Sequence, residues 1–218
     1  MTSKKFNLII LGSAGAGKGT QARLLAEKYK MKVIEMGELV RMAAKQKNEK
    51  GRLIAWMHKA GMHFPDNFIE ELFDQKIKKT DLSRRLLIDG YPRTAGQAWD
   101  LERILKKYYS SRPHLALWIK INDQEAIQRL LNRAICSKCG QIFLKRNIKK
   151  CPVCGGQVKV RDYDQDKKSI KKRLTWFHQH VIPAIEFYRR RKNLIIINGE
   201  QKPEKVFQEI IRKIEKKL

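Results

Sequence analysis

Ten residues at 12–21, GSAGAGKGTQ, place glycines at 12, 15, 17 and 19 around Lys18, directly after the apolar run FNLIIL at 6–11. Glycines at this density let backbone N–H groups turn inward and come close to an anion. A helix opening near Lys18 would add its positive end. The lysine supplies a mobile cation for β- and γ-phosphates. A strand before the loop and a helix after it are the context a phosphate-binding loop requires. Ser or Thr usually follows the lysine directly, whereas here Gly19 intervenes and Thr20 carries the hydroxyl. The loop is expected to hold a triphosphate, that of ATP.

A second group of residues has the spacing of a metal site. CSKC at 136–139 and CPVC at 151–154 are two C-x2-C knuckles that use all 4 cysteines of the chain. Each pair can chelate from a tight turn, which Gly140, Gly155 and Gly156 permit. Clustering within so short a span favours metal over disulfides in a protein expected to lie in the cytosol. Four thiolates leave no open position, so a structural zinc is expected, with reduced thiols or another soft metal such as iron as the alternatives.

A third element is Asp89, which ends the apolar strand RLLID at 85–89. A carboxylate at the C-terminal end of a strand faces the ligand crevice of an open α/β sheet. It is expected to bind magnesium through water.

The elements that must position these groups alternate along the chain. Strands are expected at 6–11, 32–35, 85–89, 114–121 and 194–197. Helices are expected at 18–30, 37–47, 51–60, 66–79, 94–109, 123–135, 166–191 and 203–217, with Pro183 kinking or splitting the long one. Short apolar strands between helices argue for a parallel sheet with helices on both faces. The chain has 218 residues, enough for one sizeable α/β domain and an inserted module. No apolar run approaches the roughly 18–20 residues of a membrane span, and the short N-terminal apolar run leads into a glycine loop, not a cleavage site. Against 22 acidic residues stand 48 basic ones, a net charge of +26. Such an excess attracts polyanions, whether nucleotides, nucleic acid or anionic lipid.

The variant GKGTQ, together with the rest of the chain, resembles the adenylate kinase family of nucleoside monophosphate kinases. LIDGYPRTAGQ at 87–97 resembles its DGFPRT signature, and MGELVR at 36–41 its TGDLLR segment. GMHFPD at 61–66 sits where GxLVPD is expected, and QRLLNRAIC at 128–136 resembles the arginine pair that leads into the lid. FHQHVIPAIEFY and IIINGE resemble the closing helix and strand. The resemblance implies a P-loop parallel core (1–34, 65–131 and 165–218), a helical monophosphate-binding segment (35–64) and a small zinc lid (132–164). Closure of the last two would expel water.

By the same resemblance, the donor nucleotide would meet Gly15, Ala16, Gly17, Lys18, Gly19, Thr20, Arg129, Arg133, Ile142, Phe143 and Gln201. The acceptor would meet Met36, Arg41, Met62, His63, Phe64, Gly90, Tyr91, Pro92, Arg93, Gln97, Arg161 and Arg173. The residues acting on the transferring phosphoryl group would be Lys18, Asp89, Arg93, Arg133, Arg161 and Arg173. Arg129 and Arg133, four apart on an expected helix, would share a face. The implied reaction joins ATP, with magnesium, to AMP and yields two ADP. Nothing in the sequence suggests an extended interface, and a monomer is expected. Gln97 favours AMP because a side-chain amide both donates to and accepts from an adenine edge.

The sequence also departs from the family pattern. Met36 stands where the family has Thr, and His58, Met62, His63 and Phe64 alter the acceptor segment. The inter-knuckle span is short, and RDYDQDKKSIKKR at 161–173 carries one extra residue. UMP or CMP is the alternative acceptor. The basic interval LKRNIKK, beside Phe143, also suits weak nucleic-acid binding, and a nucleotide-gated RNA binder is the reading from a different class.

Overall fold

The computed structural model describes residues 5–59, 63–160 and 164–218. In chain order the elements are β1 (Asn7–Leu11), α1 (Lys18–Tyr29), β2 (Lys32–Glu35), α2 (Met36–Ala43), α3 (Glu49–Lys59) and α4 (Asp66–Lys78). Then come β3 (Leu86–Asp89), α5 (Ala95–Tyr109), β4 (His114–Lys120), α6 (Asp123–Leu131), β5 (Ala134–Cys136), β6 (Ile142–Phe143) and β7 (Val158–Lys159). The chain ends with α7 (Lys167–Trp176), α8 (Ile182–Arg190), β8 (Leu194–Asn198) and α9 (Pro203–Lys217).

Five strands form one parallel sheet in the order β2-β3-β1-β4-β8. β1 lies at the centre, with crossovers leaving to either side of it. The crevice outside its C-terminal end is therefore the topological switch point where α/β sheets bind ligands. Alternate residues of β1 feed two separate cores. Ile9 and Leu11 join the cluster under α2, α4, α5 and α8, and Leu8 and Ile10 join the cluster under α1 and α9. Burial on both faces is why the strand reads as an unbroken apolar run.

Two expectations need correction. The helix expected at 123–135 ends at Leu131. The N–H groups of Asn132 and Arg133 bond back to Gln128 and Leu130 at 3.3 and 3.1 Å, the Asn132 side chain also donates to Gln128 O at 3.0 Å, and residues 134–136 become a strand. Arg133 is thus in the turn after the helix, not one turn above Arg129. The long helix expected at 166–191 is not split at Pro183. A π-helical turn at Phe177–Val181 joins α7 to α8 and leads into Pro183 in the first turn of α8, where its missing N–H is tolerated.

The cysteine region folds as a three-stranded antiparallel sheet, β6-β5-β7, with pairings Ala134–Phe143 and Cys136–Val158. No described residue of 132–160 belongs to any of the three apolar clusters of the protein. No described helix is long and apolar enough to cross a membrane.

Candidate active site and cysteine cluster

The glycine loop lies between β1 and α1, as its sequence context requires. Gly15 and Gly17 take φ of +85° and +86°, and α1 opens on Gly17 with no side-chain cap. Its first-turn N–H groups therefore point at the crevice with their partial positive charge. Gly12 is needed for a different reason: a Cβ there would meet the carbonyl oxygen of Ile119 at 2.7 Å. The loop is pressed against β4.

Lys18 is folded back onto this loop. Its ammonium donates to Gly12 O at 2.9 Å and Ser13 O at 2.8 Å. Burial lowers its pKa to about 8, Asp89 opposes that, and Arg93, Arg173 and Arg133 add to it. These charges act on one ammonium, so the expected phosphate-gripping residues converge at the mouth of the loop. The Asp89 carboxyl is raised by its own burial and by Glu35, while Lys18 and Arg93 pull it back. It stands at the end of β3 and faces the loop lysine, a position that suits a water-bridged divalent cation beside bound phosphates.

Four of these arginines, Arg133, Arg173, Arg129 and Arg41, are held by carboxylates. Arg133 donates from Nε and Nη2 to Asp164 Oδ2 at 2.9 and 2.6 Å, and Arg173 donates to Asp164 Oδ1 at 2.7 Å. Asp164 is fully buried, and Arg146 donates to its backbone carbonyl at 2.6 Å. One carboxylate thus fixes two arginines from different elements. Arg129 packs against the loop, donating to Glu125 Oε1 at 2.6 Å, Gly199 O at 2.9 Å and Gly15 O at 3.4 Å. Arg41 pairs with Glu35 at 3.1 Å. Arg93 donates from Nε to Gly90 O at 3.0 Å. We expect Asp164→Ala to destabilise the fold by about 3 kcal/mol, read by denaturant titration, because two guanidinium groups lose a desolvated partner. An unchanged midpoint would show that the pair is held by other contacts.

On the acceptor side, the Gln97 amide is already engaged at both ends. Its Oε1 accepts from the Arg93 N–H at 2.7 Å and its Nε2 donates to Asp66 Oδ1 at 2.8 Å. Asp66 Oδ2 accepts from the Thr94 hydroxyl at 2.7 Å, and Thr94 Oγ1 caps α5 by accepting from the Gln97 N–H at 3.1 Å. The amide keeps one further N–H and lone pair for a ligand. Met36 is buried at the start of α2, and Gly90 takes φ of +79°. Tyr91 and Pro92 are buried, with the Tyr91 ring 5.0 Å from Phe73 in the core. Phe64 lies 5.5 Å from Phe68. His63 stacks on Trp176 at 3.7 Å, and Trp176 on His180 at 4.9 Å. Partial burial, with Arg93 and His180 nearby, lowers the His63 pKa to about 4. Met62 and Arg161 lie outside the described residues, and so does the side chain of His58.

On the lid, Ile142 and Phe143 are half-buried in β6, and Gln141 accepts from Arg23 of α1 at 2.9 Å. Gln201 donates to Asn198 O at 3.1 Å and Glu209 at 2.7 Å, beside the loop that carries Gly199. Thr20, Gly19 and Ala16 sit in the loop and the first turn of α1. Asp66 and Asp164 lie in the motif segments at 61–66 and 161–173, but their pairings with Gln97, Arg133 and Arg173 were not legible there, because each joins residues from distant elements.

The sulfurs of Cys136, Cys139, Cys151 and Cys154 all lie within 4.8 Å of one another, with Cys136–Cys154 at 3.5 Å and Cys139–Cys151 at 3.7 Å. Thiolates about 2.3 Å from a tetrahedral zinc stand roughly 3.8 Å apart, so the cluster fits that ion. The N–H groups of Lys138 and Cys139 point at the Cys136 sulfur at 3.4 and 3.5 Å, donors that a metal-bound thiolate can accept from.

The sequence is similar to known proteins. The family model for adenylate kinase matches residues 10–193. The chain is 33% identical over 215 residues to an adenylate kinase of Methanothrix thermoacetophila, covering 96% of this chain and 99% of that protein. It is 30% identical over 210 residues to that of Thermosipho africanus, covering 94% and 97%. The adenylate kinase of Caldicellulosiruptor saccharolyticus is 32% identical over 210 residues, with the same coverage. A switch-point phosphate loop whose lysine feels three arginines and a carboxylate accords with that match, and the chain belongs to the adenylate kinase family of nucleoside monophosphate kinases.

Proposed function

We propose that the protein reversibly transfers the γ-phosphoryl group of magnesium-bound ATP to AMP, giving two ADP, and that its cysteine lid holds a structural zinc. The observation that carries the kinase reading is the convergence of Asp89, Arg93, Arg133 and Arg173 on the buried ammonium of Lys18. Two polyanions can meet there only if cations neutralise them and water is kept out.

In this reading the loop N–H groups and Lys18 grip the donor's phosphates. Arg41 and Arg93 clamp the acceptor phosphate, since guanidinium forks match phosphate oxygens in pairs. Arg133 and Arg173 lie over the migrating group, oriented by Asp164, and Arg161 joins them on closure. Arg129 steadies the donor side of the loop. Magnesium would neutralise the donor's phosphate charge, with Asp89 as its water-bridged holder. No general base is required, because the acceptor phosphate is already anionic. Gln97 reads the adenine edge, and segments 35–64 and 132–164 close over the two nucleotides.

The test is a transfer assay with magnesium ATP and AMP, UMP, CMP, GMP or dAMP in turn, run on the parent and on Arg93→Ala. AMP should be the preferred acceptor, and the variant should lose on the order of 10³-fold in turnover. Preference for UMP or CMP would transfer control of the pocket to Met36 and Phe64. Near-parental turnover in Arg93→Ala would overturn the clamp.

A further inference from the structure

One face of α7 carries charge that the transfer site does not use. Lys167, Lys168, Lys171 and Lys172 are all exposed, and all line an open cavity of about 920 Å³ together with Trp176, and with Arg173 and His63 where it borders the transfer site. Spacings of one, four and five place the four ammonium groups on adjacent columns of the helix. Among the described residues, no ion pair within 4 Å uses any of them. The nearby Asp166 carboxylate is spent on capping the helix, accepting from the Ser169 N–H at 2.8 Å and its hydroxyl at 2.6 Å.

This placement works against folding. The first turn of α7 holds two lysines and no acid, so positive charge faces the positive end of the helix. Lys167–Lys171 and Lys168–Lys172 are like-charge pairs four apart, which also weakens a helix. A sequence that breaks local rules without gain in the fold usually does so for a ligand. The ligand must be anionic and extended, because the columns from Lys167 to Gln179 run about 18 Å. At the far end of the rank stands the ladder His63–Trp176–His180, whose outer members are both exposed. Phosphate-spaced cations leading to stacked rings are what single-strand binders present.

We propose that the lysine face of α7 and its aromatic ladder bind single-stranded nucleic acid, phosphates on the lysines and a base on the exposed His180 end of the ladder, beside the nucleotide cleft and outside it. This goes beyond phosphoryl transfer and stands or falls apart from it.

The experiment measures binding of a fluorescent oligouridylate of about 10 nucleotides by anisotropy across a salt series. It uses the full chain, with and without saturating magnesium ATP and AMP. The parent should bind with a steep salt slope that mononucleotides leave unchanged. The variant with all four lysines replaced by glutamine should lose affinity and about 3 units of that slope, at roughly 0.7 per phosphate contact. It should keep the parent's kinase kcat and melt at a higher temperature. Four observations would each overturn the proposal: no binding at low salt, an unchanged slope in the variant, competition by the mononucleotides, or inorganic polyphosphate of equal charge binding as tightly as the oligonucleotide. Trp176→Ala, with the lysines intact, should weaken the oligonucleotide and leave polyphosphate unaffected.

Discussion

Lys18→Met should abolish phosphoryl transfer, lowering kcat by about 10³-fold or more, while the protein at pH 7 remains at least as stable as the parent. The first half follows from position: the Lys18 ammonium is the one cation that the glycine loop itself carries, and removing one preorganised charge from a dry site costs on the order of 10²–10³ in rate or more. The second half follows from burial. The ammonium is held against two carbonyls in a setting that lowers its pKa to about 8, with three arginines adding repulsion. The folded state therefore binds the proton less tightly than the unfolded chain, whose lysine keeps the ordinary value near 10.5. Below pH 8 both states carry the charge and the fold bears its cost. Between about pH 8 and 10.5 only the unfolded state binds the proton, so stability rises with pH through that window, by about 3 kcal/mol from this group. The difference in unfolding free energy between parent and Lys18→Met should shrink over the same window. The parent's kcat/KM for ATP should also fall as pH passes 8, because the free protein then loses the cation that meets the donor phosphates. A pH-independent difference would mean that Lys18 is not the strained group.

How far this site could be read in advance depended on whether its parts are local in sequence. The loop, Asp89 at a strand end and the two cysteine knuckles each lie within a few residues, and the structure places them together. The same holds for KVIE at 32–35 and the helix at 203–217, whose boundaries match the sequence reading because apolar spacing begins and ends cleanly there. What sequence could not supply were partners from distant elements. Asp164 reaches Arg133 across 31 positions, and Asp66 reaches Gln97 across 31. The aromatic stack joins His63 to Trp176, between the acceptor segment and α7. The helix expected through residue 135 overran by four residues, because periodicity continued where Asn132 turns the chain into a strand. The lid strands, of 2 or 3 residues each, are too short to carry an alternation signal.

Those lid strands have no apolar core to explain them, and that is the basis of the second large effect. Among the described residues of the lid, Leu144 is 56% and Val153 71% exposed, while the buried positions are Ala134, Cys136, Cys151 and the charged Asp164. A small module in this state needs a staple. The Asp164 cluster ties its end to Arg133 and Arg173, and four sulfurs within 4.8 Å of one another supply the convergent group in its middle. Stripping the zinc we propose, or replacing Cys151 with serine, should therefore loosen the lid and let it melt at a lower temperature than the sheet beneath, which has two cores of its own. The melting temperature should fall by on the order of 10 °C, as expected for the loss of a few kcal/mol in a chain of this size. Amide exchange should become fast across residues 134–159, while β1, β3 and β4 stay protected. Turnover at a temperature where Cys151→Ser is folded should fall far less than in Lys18→Met, because a metal with four thiolates has no position open to substrate. The opposite pattern, with an unchanged melting temperature and turnover lost, would place the metal in the chemistry and not in the lid's fold.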